Sequence, residues 1–164
     1  MKPLVDFLIL LALPLVIGFT STNKTAATGS QYCNQRFSFC MEYPADIFSK
    51  IFEADNGDGV HIFSENEDMY VEAFGAYNVM EWTPEDIYFF LDGNLKGDYV
   101  IVKELSHNIQ NDYYEAVYRV DDELRYYKSL MLDNSYATLV ISVPKSMEEL
   151  LNSLKNEVQL TVHI

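Results

Sequence analysis

Positive charge is what this chain has least of: 11 lysines and arginines stand against 25 aspartates and glutamates, a net charge of −14 over 164 residues. A nucleic-acid surface needs a basic stripe to displace phosphate counterions, so that class of partner is disfavoured. Anionic lipid is disfavoured for the same reason. Histidine is scarce and scattered, at His61, His107 and His163, with no His-x-x-x-His pair and no close pairing to cysteine, so the spacing of a zinc site is missing. There is no Gly-x-Ser-x-Gly elbow to present a serine nucleophile. Glycines that could cradle a phosphate, Gly57 and Gly59, fall in an acidic turn that repels it. No internal repeat and no low-complexity domain interrupts the chain. No cofactor is expected from such a sequence.

What is present begins with an apolar run from Leu4 to Phe19 behind Lys2, broken only by Asp6, Pro14 and Gly18. It is short for a membrane span, which takes about 20 residues, and small polar residues from Thr20 to Ala27 follow it. Residues 1–27 therefore read as a secretory signal peptide and leader. The alternative is an uncleaved anchor. No cysteine follows the run closely enough to carry a lipid. The exported part, residues 28–164, is read as a single α+β domain, secreted or periplasmic, or membrane-anchored if the leader stays. Removing the leader takes away two lysines and a single aspartate, so the acidity belongs to the working part. With 49% hydrophobic residues, that part can bury a full core.

Arg36 to Pro44 alternates strictly in character: Phe37, Phe39, Met41 and Tyr43 on one face, Ser38, Cys40 and Glu42 on the other. That is the period of a half-buried strand, and Pro44 ends it. Cys33 and Cys40 are the two cysteines, and an exported chain oxidises such a pair to a disulfide. The bond requires Cα atoms within about 7 Å, so the chain must reverse around Asn34-Gln35-Arg36. Asparagine suits that turn.

Tyr32-Cys33-Asn34-Gln35-Arg36-Phe37-Ser38-Phe39-Cys40-Met41-Glu42-Tyr43-Pro44 resembles the opening of PsbP-like and Mog1-like domains, where a turn leads into a Gly-Phe-Ser-Ile strand closed by Tyr-Pro. It departs from them in Arg36, where glycine is usual, and in Ala45-Asp46-Ile47, where a tryptophan commonly follows. The resemblance implies an antiparallel sheet sandwiched by helices, in a family of mostly non-catalytic binding or assembly modules. It assigns no binding residue here.

Downstream, Asp46 to Glu53 is irregular, and Val60–Phe63 and Met69–Phe74 form a hairpin about the polar run Ser64 to Asp68. Thr83-Pro84-Glu85-Asp86 starts a helix: a threonine cap, proline at the first position and acids facing the positive dipole end. Ile87, Phe90, Leu91 and Leu95 make its buried stripe. Strands follow at Tyr99–Leu105, Tyr113–Val120, Leu124–Leu132 and Tyr136–Val143, the last three a meander joined by Asp121-Asp122-Glu123 and Asp133-Asn134-Ser135. Ser146 and Glu149 read as a capping box opening a second helix through about Asn156, with Met147, Leu150, Leu151 and Leu154 inward. Val158, Leu160, Val162 and Ile164 alternate as a final strand. Hairpins with only two helices make an α+β fold, an α/β/α sandwich in the PsbP-like and Mog1-like manner, rather than a doubly wound parallel sheet.

For chemistry, Asp55-Asn56-Gly57-Asp58-Gly59 puts oxygens on a tight glycine turn, as calcium needs. Asp55, Asp58 and Glu65 are the carboxylates it would use, but Ala54 stands at the first ligand position and a hairpin replaces the flanking helices. A plain turn explains the same residues. No catalytic residue is assigned. The expected function is an exported acidic, non-catalytic binding or assembly module, its partner another envelope or secreted protein met through a sheet face or the loops at its edge. The alternative is a small extracytoplasmic hydrolase using a carboxylate pair.

Overall fold

Strand β9, Ser135–Pro144, is the middle of the molecule because both of its faces are apolar or hydrogen-bonded. Ala137, Leu139, Ile141 and Val143 are buried on one face, and Thr138, Val140 and Ser142 on the other. The Thr138 hydroxyl is satisfied by that of Ser129 at 2.5 Å, so no polar group is orphaned there. A strand buried on both faces needs an outer layer on each. The computed structural model describes residues 29–99 and 101–163, and the leader assigned to residues 1–27 lies outside them, as does Ile164.

Around β9 the strands are β1 (Gly29–Asn34), β2 (Phe39–Pro44), β3 (Phe48–Glu53), β4 (Gly59–Ser64), β5 (Tyr70–Tyr77), β6 (Val102–Ile109), β7 (Tyr113–Val120), β8 (Glu123–Met131) and β10 (Gln159–Val162). The helices are α1 (Pro84–Asp98) and α2 (Glu148–Glu157). Seven strands form one antiparallel sheet in the order β3-β4-β5-β9-β8-β7-β6, and β1-β2-β10 form a second. Ile87, Tyr88 and Leu95 of α1 pack on one face of the large sheet, against Tyr114, Tyr118, Tyr127 and Val140. On the other face lie Leu151 and Leu154 of α2 together with Phe39, Met41, Tyr43 and Leu160 of the small sheet. The result is the expected α+β sandwich, with the small sheet sharing one outer layer with α2.

The meander, the β4–β5 hairpin and the Thr83 start of α1 stand where the sequence puts them. Thr83 accepts from the Asp86 amide while Asp86 accepts from the Thr83 amide, a reciprocal capping box. Five expectations need correction. Residues 35–38 are a turn, so Phe37 and Ser38 precede the strand rather than open it. Two further strands exist: β1, and β3 in the stretch read as irregular. Strand β3 is an edge strand whose Ile51 and Phe52 stay exposed, which removes the alternation that would have announced it. The strand after α1 runs from Val102 to Ile109, with a bulge between Glu104 and Ser106. Phe90 lies outward instead of in the buried stripe, since Tyr88 takes the inward position. Helix α2 is capped at Met147 with no side-chain bond, so the Ser146 and Glu149 box does not form and Met147 is exposed.

Candidate functional site

Antiparallel pairing brings the β1–β2, β3–β4, β6–β7 and β8–β9 turns and the loop after β5 to one end of the sandwich. The β1–β2 turn is closed by the pair predicted to close it: Cys33 and Cys40 sit directly opposite in the ladder, Cα atoms 4.1 Å apart, and are disulfide-bonded. Buried Asn34 fixes the turn, its Oδ1 accepting from the Phe37 amide at 3.0 Å and its Nδ2 donating to the Gly57 carbonyl at 2.9 Å. Phe37 is thereby pressed onto Gly75 of β5, where a Cβ would fall 2.5 Å from Phe37 Cδ2. Only glycine permits that approach. Arg36 lies over the rings of Phe37 and Tyr77, at 5.0 and 5.4 Å from their centroids. It also donates to Asp58 Oδ1 at 2.6 Å and to the Asn56 carbonyl at 3.0 Å.

The calcium candidates separate on this scaffold. Asp55 and Asp58 share the β3–β4 turn, where Gly57 takes a φ of 72°. One Asp58 oxygen is held by Arg36, the other by Asn56 Nδ2 at 2.6 Å. Glu65 lies beyond the far end of β4, about 20 Å along an extended strand, where Ser49 donates to it at 3.4 Å. The turn does not bring the three carboxylates together.

What this end does assemble is an open cleft of about 550 Å³ lined by Arg36, Phe37 and Ser38, by Asn111 and Asp112, by Met131 to Ser135, and by His163. The amide of Met131 donates to the Asp112 carbonyl and that of Asn78 to the Asn134 carbonyl, both at 2.8 Å, so three turns are stitched together at its rim. A second hollow of about 350 Å³, between Thr83–Glu85 and Ile109–Asn111, shares Asn111 with it. His163 Nε2 lies 3.2 Å from Cys40 Sγ, and its amide donates to the Ser38 carbonyl at 2.8 Å. Because Cys40 is in the disulfide, the sulfur can only accept, so this contact places the proton of the neutral imidazole on Nε2.

The superposition that bears on the fold is with cyanobacterial PsbP (CyanoP) from Synechocystis sp. PCC 6803, known from its solution structure. It matches with a TM-score of 0.60 over 86% of this chain and 96% of its own. The fold is PsbP-like. At 13% sequence identity the likeness is one of fold. A Bacteroides thetaiotaomicron VPI-5482 protein shares it at a TM-score of 0.53 and 14% identity, over 83% of this chain and 49% of that one. No family model and no curated protein matches the sequence. The stretch Tyr32 to Pro44, which carried the resemblance, is the disulfide-closed β1–β2 hairpin of this PsbP-like fold.

Elsewhere several ionisable groups are engaged in holding the fold. Glu104 of β6 accepts from the Tyr88 hydroxyl of α1 and lies 2.7 Å from His107 Nδ1, two contacts that hold its carboxyl below the usual range. Burial and Glu104 push the Tyr88 hydroxyl up to about 12. Arg125 donates to Glu123 and to the Tyr99 hydroxyl, each at 2.8 Å. Glu72, on the same face of the sheet, has its carboxyl raised by burial, with Arg125 opposing. Asn111, Asp112, Asn134 and His163 were not foreseen as site residues. Asp133-Asn134-Ser135 is visible in the sequence only as a turn, and nothing local reveals that it meets residues nearly a hundred positions away.

Proposed function

We propose that this PsbP-like domain is an exported, acidic, non-catalytic module that binds another envelope or secreted protein through the turns at the cleft end of the sandwich. The observation that carries the reading is the chemistry of the cleft. It is open, lined by a mixture of polar and apolar side chains and rimmed by backbone-tied turns, and its imidazole rests against a disulfide sulfur. Such a surface offers hydrogen bonds from its turns and, beside it, aromatic area from half-exposed Tyr77, which packs on Phe37. The disulfide supports an oxidising compartment, secreted or periplasmic.

At this cleft the hydrolase alternative would use Asp112 and Asp133, the two carboxylates that line it. One experiment separates the readings. A photo-crosslinking residue at Asp133 should trap a protein adduct in the native host, whereas the same residue at Glu65, at the far end, should trap none. Turnover of chromogenic glycosides that disappears in Asp112→Asn/Asp133→Asn would overturn the proposal in favour of the hydrolase.

A further inference from the structure

Between Ile51 and Leu95 the chain carries eleven aspartates and glutamates and no lysine or arginine. In that same stretch large apolar side chains stand at the surface: Val79 is 82% exposed, Met80 66%, Phe89 59% and Phe90 53%. They are held out by structure. Asn78 Nδ2 donates to the Trp82 carbonyl and Asn78 Oδ1 accepts from the Trp82 amide, both at 2.8 Å, so Val79 and Met80 ride on a closed turn. Trp82 packs against Phe90 with ring centroids 4.9 Å apart. Phe90 in turn walls a mainly apolar pocket of about 170 Å³ between α1 and the sheet, whose other walls include Phe74, Leu91 and Tyr136. Glu81, Glu85 and Asp86 are exposed beside the turn and on the first turn of α1.

A pocket large enough for one side chain, an exposed aromatic at its mouth and exposed carboxylates nearby, Glu81 next to Met80 in the turn and Asp86 one helical turn before Phe90, are the features of a protein-docking surface. The sign selects the occupant. A second copy would set acidic rim against acidic rim, and an anionic bilayer would meet the same repulsion. We propose that the Asn78–Trp82 turn and the Phe90 side of α1 form the docking site for a cationic amphipathic segment of a partner protein. An apolar side chain of the partner enters the pocket beside Phe90, and its lysines or arginines face Glu81, Glu85 and Asp86. The inference rests on the reading of the domain as a protein-binding module and adds the chemistry of the partner.

The probe is a fluorescent leucine–lysine peptide patterned as an amphipathic helix, titrated with the exported domain at near-physiological salt. Saturable binding is expected, weakened about tenfold by Phe90→Ala and by Met80→Ala, as for the anchor positions of an interface. Glu85→Gln should weaken binding and flatten its salt dependence. Ile51→Ser, which removes an equally exposed apolar side chain from the β3 edge, should change nothing. Unchanged thermal unfolding of each variant excludes a folding defect. Equal binding of a scrambled peptide of the same composition, equal binding of a leucine–glutamate peptide, or insensitivity to Phe90→Ala and Met80→Ala would each overturn the proposal. So would a concentration-dependent dimer abolished by Phe90→Ala, or adsorption to anionic vesicles abolished by it. None of these outcomes touches the Asp133 adduct, so failure here is distinguishable from failure of the binding-module reading.

Discussion

Gly75→Ala is the substitution that most directly interrogates how the cleft end is held. Taken alone, the change should help: Gly75 has no positive φ, and an alanine at a compatible position restricts the unfolded chain, a gain of about 0.4–1 kcal/mol. Packing opposes it. The new methyl would lie within 2.5 Å of Phe37 Cδ2, and Phe37 cannot swing aside, because it is 3% exposed and its amide is tied to Asn34. Overpacking of this kind costs about 1–3 kcal/mol, so a net loss of roughly 1–2 kcal/mol is expected after the gain is subtracted. For a domain of about 135 residues that lowers Tm by roughly 4–7 °C. Phe37→Ala removes the obstruction and costs about 3–5 kcal/mol by itself. In that background Gly75→Ala should become neutral or stabilising, so the double-mutant cycle shows a coupling close to the packing cost. Urea unfolding with an unchanged m value measures each corner. A neutral or stabilising Gly75→Ala in the native background, or strict additivity in the cycle, would refute the placement of Phe37 on Gly75.

Two further expectations concern the covalent and ionic parts of the fold. Replacing both cysteines, Cys33→Ser/Cys40→Ser, should cost about 2.5 kcal/mol on the chain-entropy model for a loop of about eight residues; an unchanged thermal midpoint without reductant would contradict it. Glu72 has a folded pKa raised by burial, so the native state binds its proton more tightly than the unfolded one, and stability falls as pH rises from the ordinary carboxylate value through the folded one. Glu72→Gln should therefore be more stable than the native chain at pH 7, with the difference shrinking toward pH 4. A variant less stable at pH 7 would show that the Arg125 attraction outweighs the cost of burial.

Local chemistry carried much of the fold into the sequence. Turn residues every eight to ten positions, alternating apolar strands, the Thr83-Pro84 helix start and the cysteine pair are all signals within about ten residues, and together they determine an α+β meander with two helices and a stapled hairpin. What they could not determine is set by distance along the chain. Strand β3 exists because β4 offers it an edge, and its outward Ile51 and Phe52 erase the periodic signal a buried face would leave. Phe37 alternates with Phe39 as though in one strand, yet it is buried from a turn because Gly75, 38 residues later, leaves room for its ring. The turn around Asp58 reads locally as a plain turn or a weak ion site, and nothing local shows that its carboxylate is taken by Arg36, 22 residues earlier. The Ser146 and Glu149 pattern is not used: the Met147 amide closes a turn on the Pro144 carbonyl and α2 starts at Glu148. The cleft is the extreme case, for its walls come from four separate parts of the chain that share no pattern and meet only because antiparallel strands deliver their turns to the same end.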